Sequence, residues 1–369
     1  MKTAIIHDWL TGMRGGEKVL EQICLLYPEA DIFTLIYDEN AVSEIIKNHT
    51  VKTSFLRKIP GILKNYRNFL PLFPAAIESF DLAGYDLVIS SSHCAAKGVR
   101  KKKGAVHFCY CHTPMRYAWD QFHNYFSAEK NGYLKYAVIK MIMPFLRKWD
   151  AAVSGRVDYY IANSGHVAKR INRYYKREAN VIYPPVDTDF FTPCENTEKE
   201  DFFLVVSALT EYKKIDFVVD VFNRMPDKEL RVIGAGPMFE DLKKQAQKSN
   251  ISFLGSVPRE VIRENYRKTR AFLFPGEEDF GITTAEAQAC GAPVLAFNTG
   301  GAAEIVKEGR TGEFFDGTQE DFIKKLELIK DNVYDIEEVR GNALRFSEEI
   351  FRKNITDFIK NRTEKAGNG

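Results

Sequence analysis

The sequence has 369 residues, of which 45% are hydrophobic and 28% are charged, and its formal net charge is +2. This length predicts two domains rather than one, and the composition excludes disordered and fibrous proteins. A net charge this small gives no argument for nucleic-acid binding.

The N-terminus and the cysteines bear on location. The chain reaches Asp8 after too few apolar residues for a signal peptide. The most apolar stretch, residues 136–146, is short and interrupted by Lys140 and Pro144, so no membrane-spanning helix is predicted. The six cysteines show no paired C-x-x-C spacing, which indicates reduced thiols rather than disulfides or a zinc site. We therefore expect a cytoplasmic protein without a metal site.

Strand-like and helix-like patterns alternate along the first half of the chain. Predicted strands lie at residues 3–7, 31–36, 85–89, 105–110 and 158–162. Helix-like patterns cover residues 17–26 and 133–157. Alternation of this kind predicts βαβ units and a mainly parallel sheet.

A proline pair separates this half from a second series of the same kind. Pro184 and Pro185 cannot donate sheet hydrogen bonds, so the interdomain linker is placed there. Further strands are predicted at residues 202–207, 230–234, 251–254, 271–274, 293–297 and 312–315, typical of a doubly wound domain. The predicted domains are residues 1–183 and 184–345, and the helical residues 346–369 are expected to pack back on the first domain.

Two segments of the first half have a surface character. Residues 55–80 are rich in Leu, Phe, Pro, Lys and Arg, and they form either a helical hairpin over the sheet or an amphipathic surface for a lipid-linked acceptor or a membrane. Residues 100–103 are all basic, which fits either a solvated loop or a contact with anionic lipid. We expect peripheral membrane association through residues 55–67 and 100–103.

An acidic loop after the predicted strand at 271–274 carries the most informative chemistry. The loop contains Glu278, and Gly281 permits close approach of the backbone to a ligand. Thr283 and Thr284 then open a helix with Glu286 in its first turn. A helix N-terminus favours a diphosphate, and the two carboxylates can accept hydrogen bonds from sugar and ribose hydroxyls. Alternatively, Glu286 only stabilises the helix start and Glu278 is solvated.

The spacing of these acids resembles a family signature. Seven residues separate Glu278 from Glu286, and an Ala-Cys-Gly-Ala-Pro-Val run follows at 289–294. This pattern resembles family 4 glycosyltransferases, and the resemblance extends over nearly the whole chain. It implies the α/β fold called GT-B, in which two Rossmann-like, doubly wound parallel-sheet domains enclose a cleft. It also implies retention of anomeric configuration without a required metal.

In the first half, the resemblance points to a glycine loop and a histidine. Gly15 and Gly16 match the family's first βα loop, which passes close to the donor phosphates and the acceptor. His112 follows a strand and precedes Thr-Pro, as does the family histidine that contacts the transferred sugar and stabilises positive charge at its anomeric carbon. Without the resemblance, a glycine pair is a common turn and a lone histidine is more often structural.

In the second half, the resemblance assigns the donor contacts. Lys213 matches the lysine on the donor diphosphate, but Ala208 stands where the family usually has arginine. Lys214 stands at a frequent glycine position and is the candidate substitute for that arginine, although a surface lysine pair is the alternative. The remaining implied donor contacts are Gly255, Val257, Gly281, Ile282, Thr283 and Glu286. We expect Lys213, Glu278 and His112 to be catalytic.

The motifs at residues 7–10, 111–117 and 183–187 resemble those of bacterial mannosyltransferases of surface-polysaccharide assembly. This implies GDP-mannose as donor, with a UDP-linked sugar as the alternative, and a glycan or lipid-linked acceptor. No further cofactor is implied. An epimerase of the same fold and a catalytically degenerate, membrane-associated scaffold remain open. A nicotinamide enzyme is disfavoured because Pro237 and Met238 displace the third glycine of the dinucleotide fingerprint.

Overall fold

The computed structural model describes residues 1–127, 129, 132–194 and 198–367. The chain divides into two compact units. The first unit comprises Met1–Pro185 together with the chain from Phe351, and the second unit is Val186–Ile350.

The first unit is built on a seven-stranded sheet of order β3-β2-β1-β4-β5-β6-β7, in which all paired strands are parallel. Its strands are β1 Thr3–His7, β2 Asp31–Thr34, β3 Val51–Thr53, β4 Leu87–Ser92, β5 Val106–Cys111, β6 Tyr159–Ala162 and β7 Ala179–Val181. The five predicted strands are confirmed. The two additional strands, β3 and β7, have three residues each and lie at the sheet edges.

Helices cover both faces of this sheet. They are α1 Gly15–Leu26, α2 Glu44–Lys47, α3 Ile62–Asn65, α4 Phe73–Glu78, α5 Phe122–Tyr125, α6 Tyr133–Val153 and α7 Gly165–Tyr175. Of the two alternatives for residues 55–80, the helical hairpin is not formed. A run of short helical pieces covers this segment, with Pro60 between the first two pieces and Pro71 inside the 3-10 helix Tyr66–Leu72.

The second unit carries a six-stranded parallel sheet of order β10-β9-β8-β11-β12-β13. Its strands are β8 Phe202–Val206, β9 Glu229–Ile233, β10 Ile251–Gly255, β11 Ala271–Phe274, β12 Val294–Phe297 and β13 Gly312–Phe315. Its helices are α8 Ile215–Asn223, α9 Phe239–Gln245, α10 Arg259–Lys268, α11 Ile282–Ala289, α12 Ala302–Ile305, α13 Gln319–Asp331 and α14 Ile336–Leu344. All six predicted strands and the predicted class of two doubly wound α/β domains are confirmed.

The last helix, α15 Glu348–Gly367, contributes to the core of the first unit. Phe351, Ile355 and Ile359 are buried there, and the ring of Phe351 lies 5.7 Å from that of Tyr110 on β5. Among the described helices, none combines the length and apolar character that crossing a bilayer requires.

A buried histidine on β5 makes the first unit sensitive to acid. His107 is fully buried, its Nε2 lies 2.8 Å from Ser90 Oγ, and burial lowers its pKa to about 3. An unfolded histidine has a pKa of about 6.5, so acid favours the unfolded chain. The stability that neutral His107 contributes is therefore present above that pH and is lost as the pH falls from 6.5 toward 3.

Replacing His107 is expected to make the pH dependence shallower. Between pH 6 and 4, the free energy of unfolding of His107→Gln should fall less steeply than that of the wild type, by about 1.4 kcal/mol per pH unit. Denaturant titrations at several pH values measure both slopes. Equal slopes would contradict the buried neutral histidine.

Candidate active site

The carboxyl ends of parallel strands share one edge of a sheet, where α/β proteins bind ligands. In the first unit, His7 ends β1, Ser91 lies at the end of β4, and His112 directly follows β5. The hydroxyl oxygen of Ser91 lies 3.1 Å from His7 Nδ1 and 2.8 Å from His112 Nε2. A serine thus joins the histidine predicted from the sequence to a second, fully buried histidine.

The start of α1 completes this cluster. Glu17 Oε1 lies 3.8 Å from His7 Nε2. A Cβ on Gly16 would lie 3.7 Å from His112 Nε2 and 3.8 Å from His7 Cε1, so the chain at this glycine contacts both histidines. The neighbouring Gly15 is exposed, with no such contact within 4 Å. The structure therefore brings Gly16 and His112 together and leaves Gly15 at the rim.

The charges of this cluster are set by burial and by one another. Burial, with the charges of His93 and His7, lowers the pKa of His112 to about 3. Burial raises the pKa of Glu17, but the nearby imidazole and charge of His7 outweigh it and bring the pKa to about 2. At neutral pH, His112 is therefore a neutral hydrogen-bonding group in the same cluster as the ionised carboxylate of Glu17.

Asp8 fixes the loop that follows β4. Its buried carboxylate accepts hydrogen bonds from four consecutive backbone N–H groups, those of residues 93–96, at 2.6–2.9 Å. His93 Nδ1 lies 3.2 Å from the same carboxylate. Burial raises the pKa of Asp8, but His93, His7 and the backbone N–H groups together lower it. The ends of β1 and β4 are thereby held together.

Ser91 and His93 were not identified from the sequence. The available signal was a run of three serines followed by a histidine, Ser90 to His93, at a predicted strand end. Small polar side chains at the carboxyl end of a buried strand are candidates for ligand contacts.

In the second unit, Lys213 and Glu278 meet. The ammonium of Lys213 forms an ion pair with Oε1 of Glu278, and the side chains are only 12% and 19% exposed. A Cβ on Gly276 would lie 3.0 Å from both Cα and the carbonyl oxygen of Lys213. The loop after β11 therefore packs directly on the backbone of Lys213, and a larger residue at 276 would push the two apart.

The helix that follows this loop starts at Ile282, one residue before the predicted Thr283. Gly281, with φ +88°, precedes Ile282 and Thr283, which are partly buried in the first turn of α11. A Cβ on Gly281 would lie 2.9 Å from the ring of Phe274, so glycine is required there. The buried hydroxyl of Thr284 finds no hydrogen-bond partner within the described chain.

The position predicted for Glu286 needs a correction. It lies beyond the first turn of α11, because the helix begins at Ile282. Its carboxylate lies 3.5 Å from the hydroxyl of Tyr266, which is buried. The predicted capping alternative therefore loses support, since the dipole effect is confined to the first turn.

The other predicted donor contacts lie at neighbouring strand ends. The N–H of Gly234 donates to the carbonyl of Gly255 at 2.8 Å, and Val257 packs partly buried against the core. Lys214 has φ +53°, a conformation that favours glycine, which agrees with the glycine that the family resemblance implies at this position. The Lys214 ammonium lies 5.3 Å from the ring centroid of Phe297.

Two protein families match parts of the chain. Residues 15–190 match Glycosyltransferase Family 4, and residues 187–343 match Glycosyl transferases group 1. The chain belongs to the family 4 glycosyltransferases. The matches extend over most of both units and include every residue that the sequence assigned to the site.

Two curated relatives and one solved structure are similar to this glycosyltransferase. The GDP-mannose-dependent alpha-(1-6)-phosphatidylinositol monomannoside mannosyltransferase of Mycolicibacterium smegmatis is 31% identical over 44% of the chain and 52% of that protein. The O-antigen biosynthesis glycosyltransferase WbnH of Escherichia coli is 31% identical over 45% of the chain and 48% of that protein. The matched region thus spans about half the length of these relatives.

The structural comparison extends over the whole glycosyltransferase chain. Sucrose-phosphate synthase from Thermosynechococcus elongatus has a TM-score of 0.76 at 16% identity, covering 99% of the chain and 100% of the synthase. This likeness establishes the fold. Within the part of the chain that the structure describes, no group of three or more His, Cys, Asp or Glu side chains is arranged to hold a metal ion.

Proposed function

We propose that the protein transfers a hexose, mannose from GDP-mannose, to a glycan or lipid-linked acceptor in surface-polysaccharide biosynthesis, with retention of configuration. The observation that carries this proposal is the ion pair of Lys213 and Glu278 next to the start of α11. It joins a cation suited to a diphosphate with a carboxylate suited to sugar hydroxyls. Similarity to the GDP-mannose-dependent mannosyltransferase of Mycolicibacterium smegmatis and to the O-antigen biosynthesis glycosyltransferase of Escherichia coli supports the donor and the acceptor class.

In the second unit, the proposed chemistry is electrostatic. Lys213 and the N–H groups at Ile282 and Thr283 neutralise charge on the departing diphosphate, which is how fixed cations and helix ends lower such barriers. Glu278 orients the sugar and, in the resting protein, holds the ammonium of Lys213 in place. Because these groups supply the positive charge, we propose that no metal is required.

In the first unit, the proposed role of His112 depends on the cluster around it. The negative charge of Glu17 favours a proton on His7 Nε2, so that His7 Nδ1 accepts from the Ser91 hydroxyl. The oxygen of Ser91 can then accept a hydrogen bond from the Nε2–H of His112. His112 is left neutral, with a lone pair on Nδ1 that can stabilise positive charge at the anomeric carbon. Ser91 is then a positioning residue for the His112 imidazole.

Glu286 is expected to affect binding of the donor rather than the catalytic rate. If its carboxylate holds the ribose equally in the ground and transition states, Glu286→Ala raises the donor KM and leaves kcat nearly unchanged. A hydrogen bond to a charged group is worth about 1.5–3 kcal/mol, so the increase should be about tenfold or more. Steady-state kinetics measure both constants. A defect confined to kcat would contradict the assigned role.

Donor binding tests the proposal without an acceptor. Thermal unfolding is measured with GDP, UDP, GDP-mannose and UDP-glucose, and GDP-mannose should stabilise the protein most. A ligand at 100 times its Kd adds about 2.7 kcal/mol. Stabilisation by UDP-glucose alone would retain a nucleotide-sugar donor and reject mannose. No stabilisation by any of the four compounds would contradict the donor site.

A further inference from the structure

The long helix α6 presents an apolar face that the rest of the described chain leaves exposed. Leu134, Val138, Met141 and Phe145 are 83%, 43%, 65% and 72% exposed. They recur every three or four residues, so they share one side of the helix. Solvent-exposed apolar patches of this kind mark surfaces that contact a partner or a membrane.

The fold itself does not require this face. The opposite side of α6 already supplies the buried core contacts, with Met143 and Leu146 3% and 4% exposed. The exposed side is therefore apolar beyond what folding of the first unit needs.

An apolar cavity of about 540 Å³ adjoins this face. Val138 and Ile142 of α6 line one side, Leu70 and Phe73 line another, and Trp9 also contributes to the wall. The ring of Trp9 meets that of His93 edge-on at 4.4 Å between centroids. The apolar surface thus continues from α6 to the polar cluster around Asp8.

The charges beside this face have one sign. Residues 55–72 and 133–149 contain eight basic residues and no acidic ones. On α6, Lys140 and Lys148 are exposed next to the apolar side chains, and Lys135 donates to Asn68 Oδ1 at 3.3 Å, which links the two segments. An apolar stripe with flanking lysines is typical of helices that lie on anionic membranes.

The basic run at residues 100–103 lies beside acidic residues. Arg100, Lys101 and Lys102 form ion pairs with Glu78, Asp158 and Asp86, respectively. These pairs balance three of the four basic charges that the sequence suggested for membrane contact.

We propose that the first unit docks on an anionic lipid bilayer through the α6 docking face, defined as Leu134, Val138, Met141, Phe145, Lys140 and Lys148. The apolar side chains enter the interface and the two lysines contact anionic headgroups. Docking needs neither donor nor turnover, so it stands or falls separately from the proposed transferase activity.

Vesicle flotation of the full chain tests the docking face. The wild type should float with vesicles of phosphatidylcholine and phosphatidylglycerol, and much less with phosphatidylcholine alone. Lys140→Gln with Lys148→Gln should weaken binding to the anionic vesicles roughly 30-fold. Met141→Gln with Phe145→Gln should weaken it by about tenfold or more.

Two matched controls separate the face from general effects. Val333 is 99% exposed in the second unit, so Val333→Gln removes a comparable apolar side chain elsewhere. Arg100→Gln with Lys102→Gln removes two basic residues from the paired run. Both controls should bind the anionic vesicles within about threefold of the wild type, given that exposed substitutions rarely perturb the fold.

Three results would overturn the proposal. The first is a wild type that does not float, and the second is equal flotation with both vesicle compositions. The third is a loss in the controls as large as in the docking-face variants. A dimer that Phe145→Gln dissociates, without vesicle binding by the wild type, would assign the face to a second copy of the chain.

Discussion

Replacing Lys213 with alanine is expected to lower kcat about a hundredfold, the usual effect of removing one preorganised group that stabilises developing charge. The ammonium of Lys213 is mostly buried and held by Glu278, so water replaces it poorly. The loss should appear in kcat more than in KM, because the charge on the diphosphate grows as the bond to the sugar breaks.

The control for this variant is another lysine of the second unit. Lys243 lies 5.4 Å from the ring centroid of Phe239, a packing similar to that of Lys213 over Tyr212 at 5.3 Å. Lys243→Ala should retain kcat within about threefold, since it removes only an exposed charge. A Lys213→Ala enzyme with unchanged kcat and an intact melting temperature would refute the role of Lys213.

Replacing His112 with alanine is expected to lower kcat by about tenfold or more, equivalent to at least about 1.4 kcal/mol. Donor affinity should change little, because the imidazole is proposed to act on charge that develops in the transition state. Ser91→Ala keeps the imidazole but removes the oxygen between it and His7, so a smaller loss is expected. Ser91→Thr restores a hydroxyl and should recover most of it.

The recovery by threonine distinguishes positioning from packing. If Ser91 only fills space, alanine and threonine should be tolerated according to volume, and threonine should be the worse replacement. Steady-state kinetics on the three variants, at matched melting temperatures, decide the question. Full activity in His112→Ala would return this histidine to a structural role.

The parallel sheets were predictable because their strands are short, buried and apolar. β1 and β11 begin and end at the predicted residues, 3–7 and 271–274, since uninterrupted apolar runs specify strands buried on both faces. The edge strands β3 and β7 were not predicted. Each has only three residues, with one partly buried and two exposed, which leaves too little pattern to recognise.

The candidate site was predictable only in part. The sequence identified Lys213, Glu278 and His112 through a family pattern, but no local rule indicates that Lys213 and Glu278 form an ion pair across 65 residues. The partners of Asp8 are backbone N–H groups 85 to 88 residues further along the chain. Such contacts are created by the order of strands in the sheet, which places β4 next to β1.

The most direct test of the central claim is release of GDP from GDP-mannose, in saturating EDTA, with and without an acceptor panel of glycans and lipid-linked sugars. We predict acceptor-dependent release and an α-linked product, which retention from an α-linked donor requires. Conversion of GDP-mannose into another GDP-sugar without any acceptor would instead favour an epimerase, and acceptor-independent release of GDP together with free mannose would indicate hydrolysis. Donor binding without turnover on every acceptor, or turnover that needs added manganese or magnesium, would contradict a metal-independent glycosyltransferase.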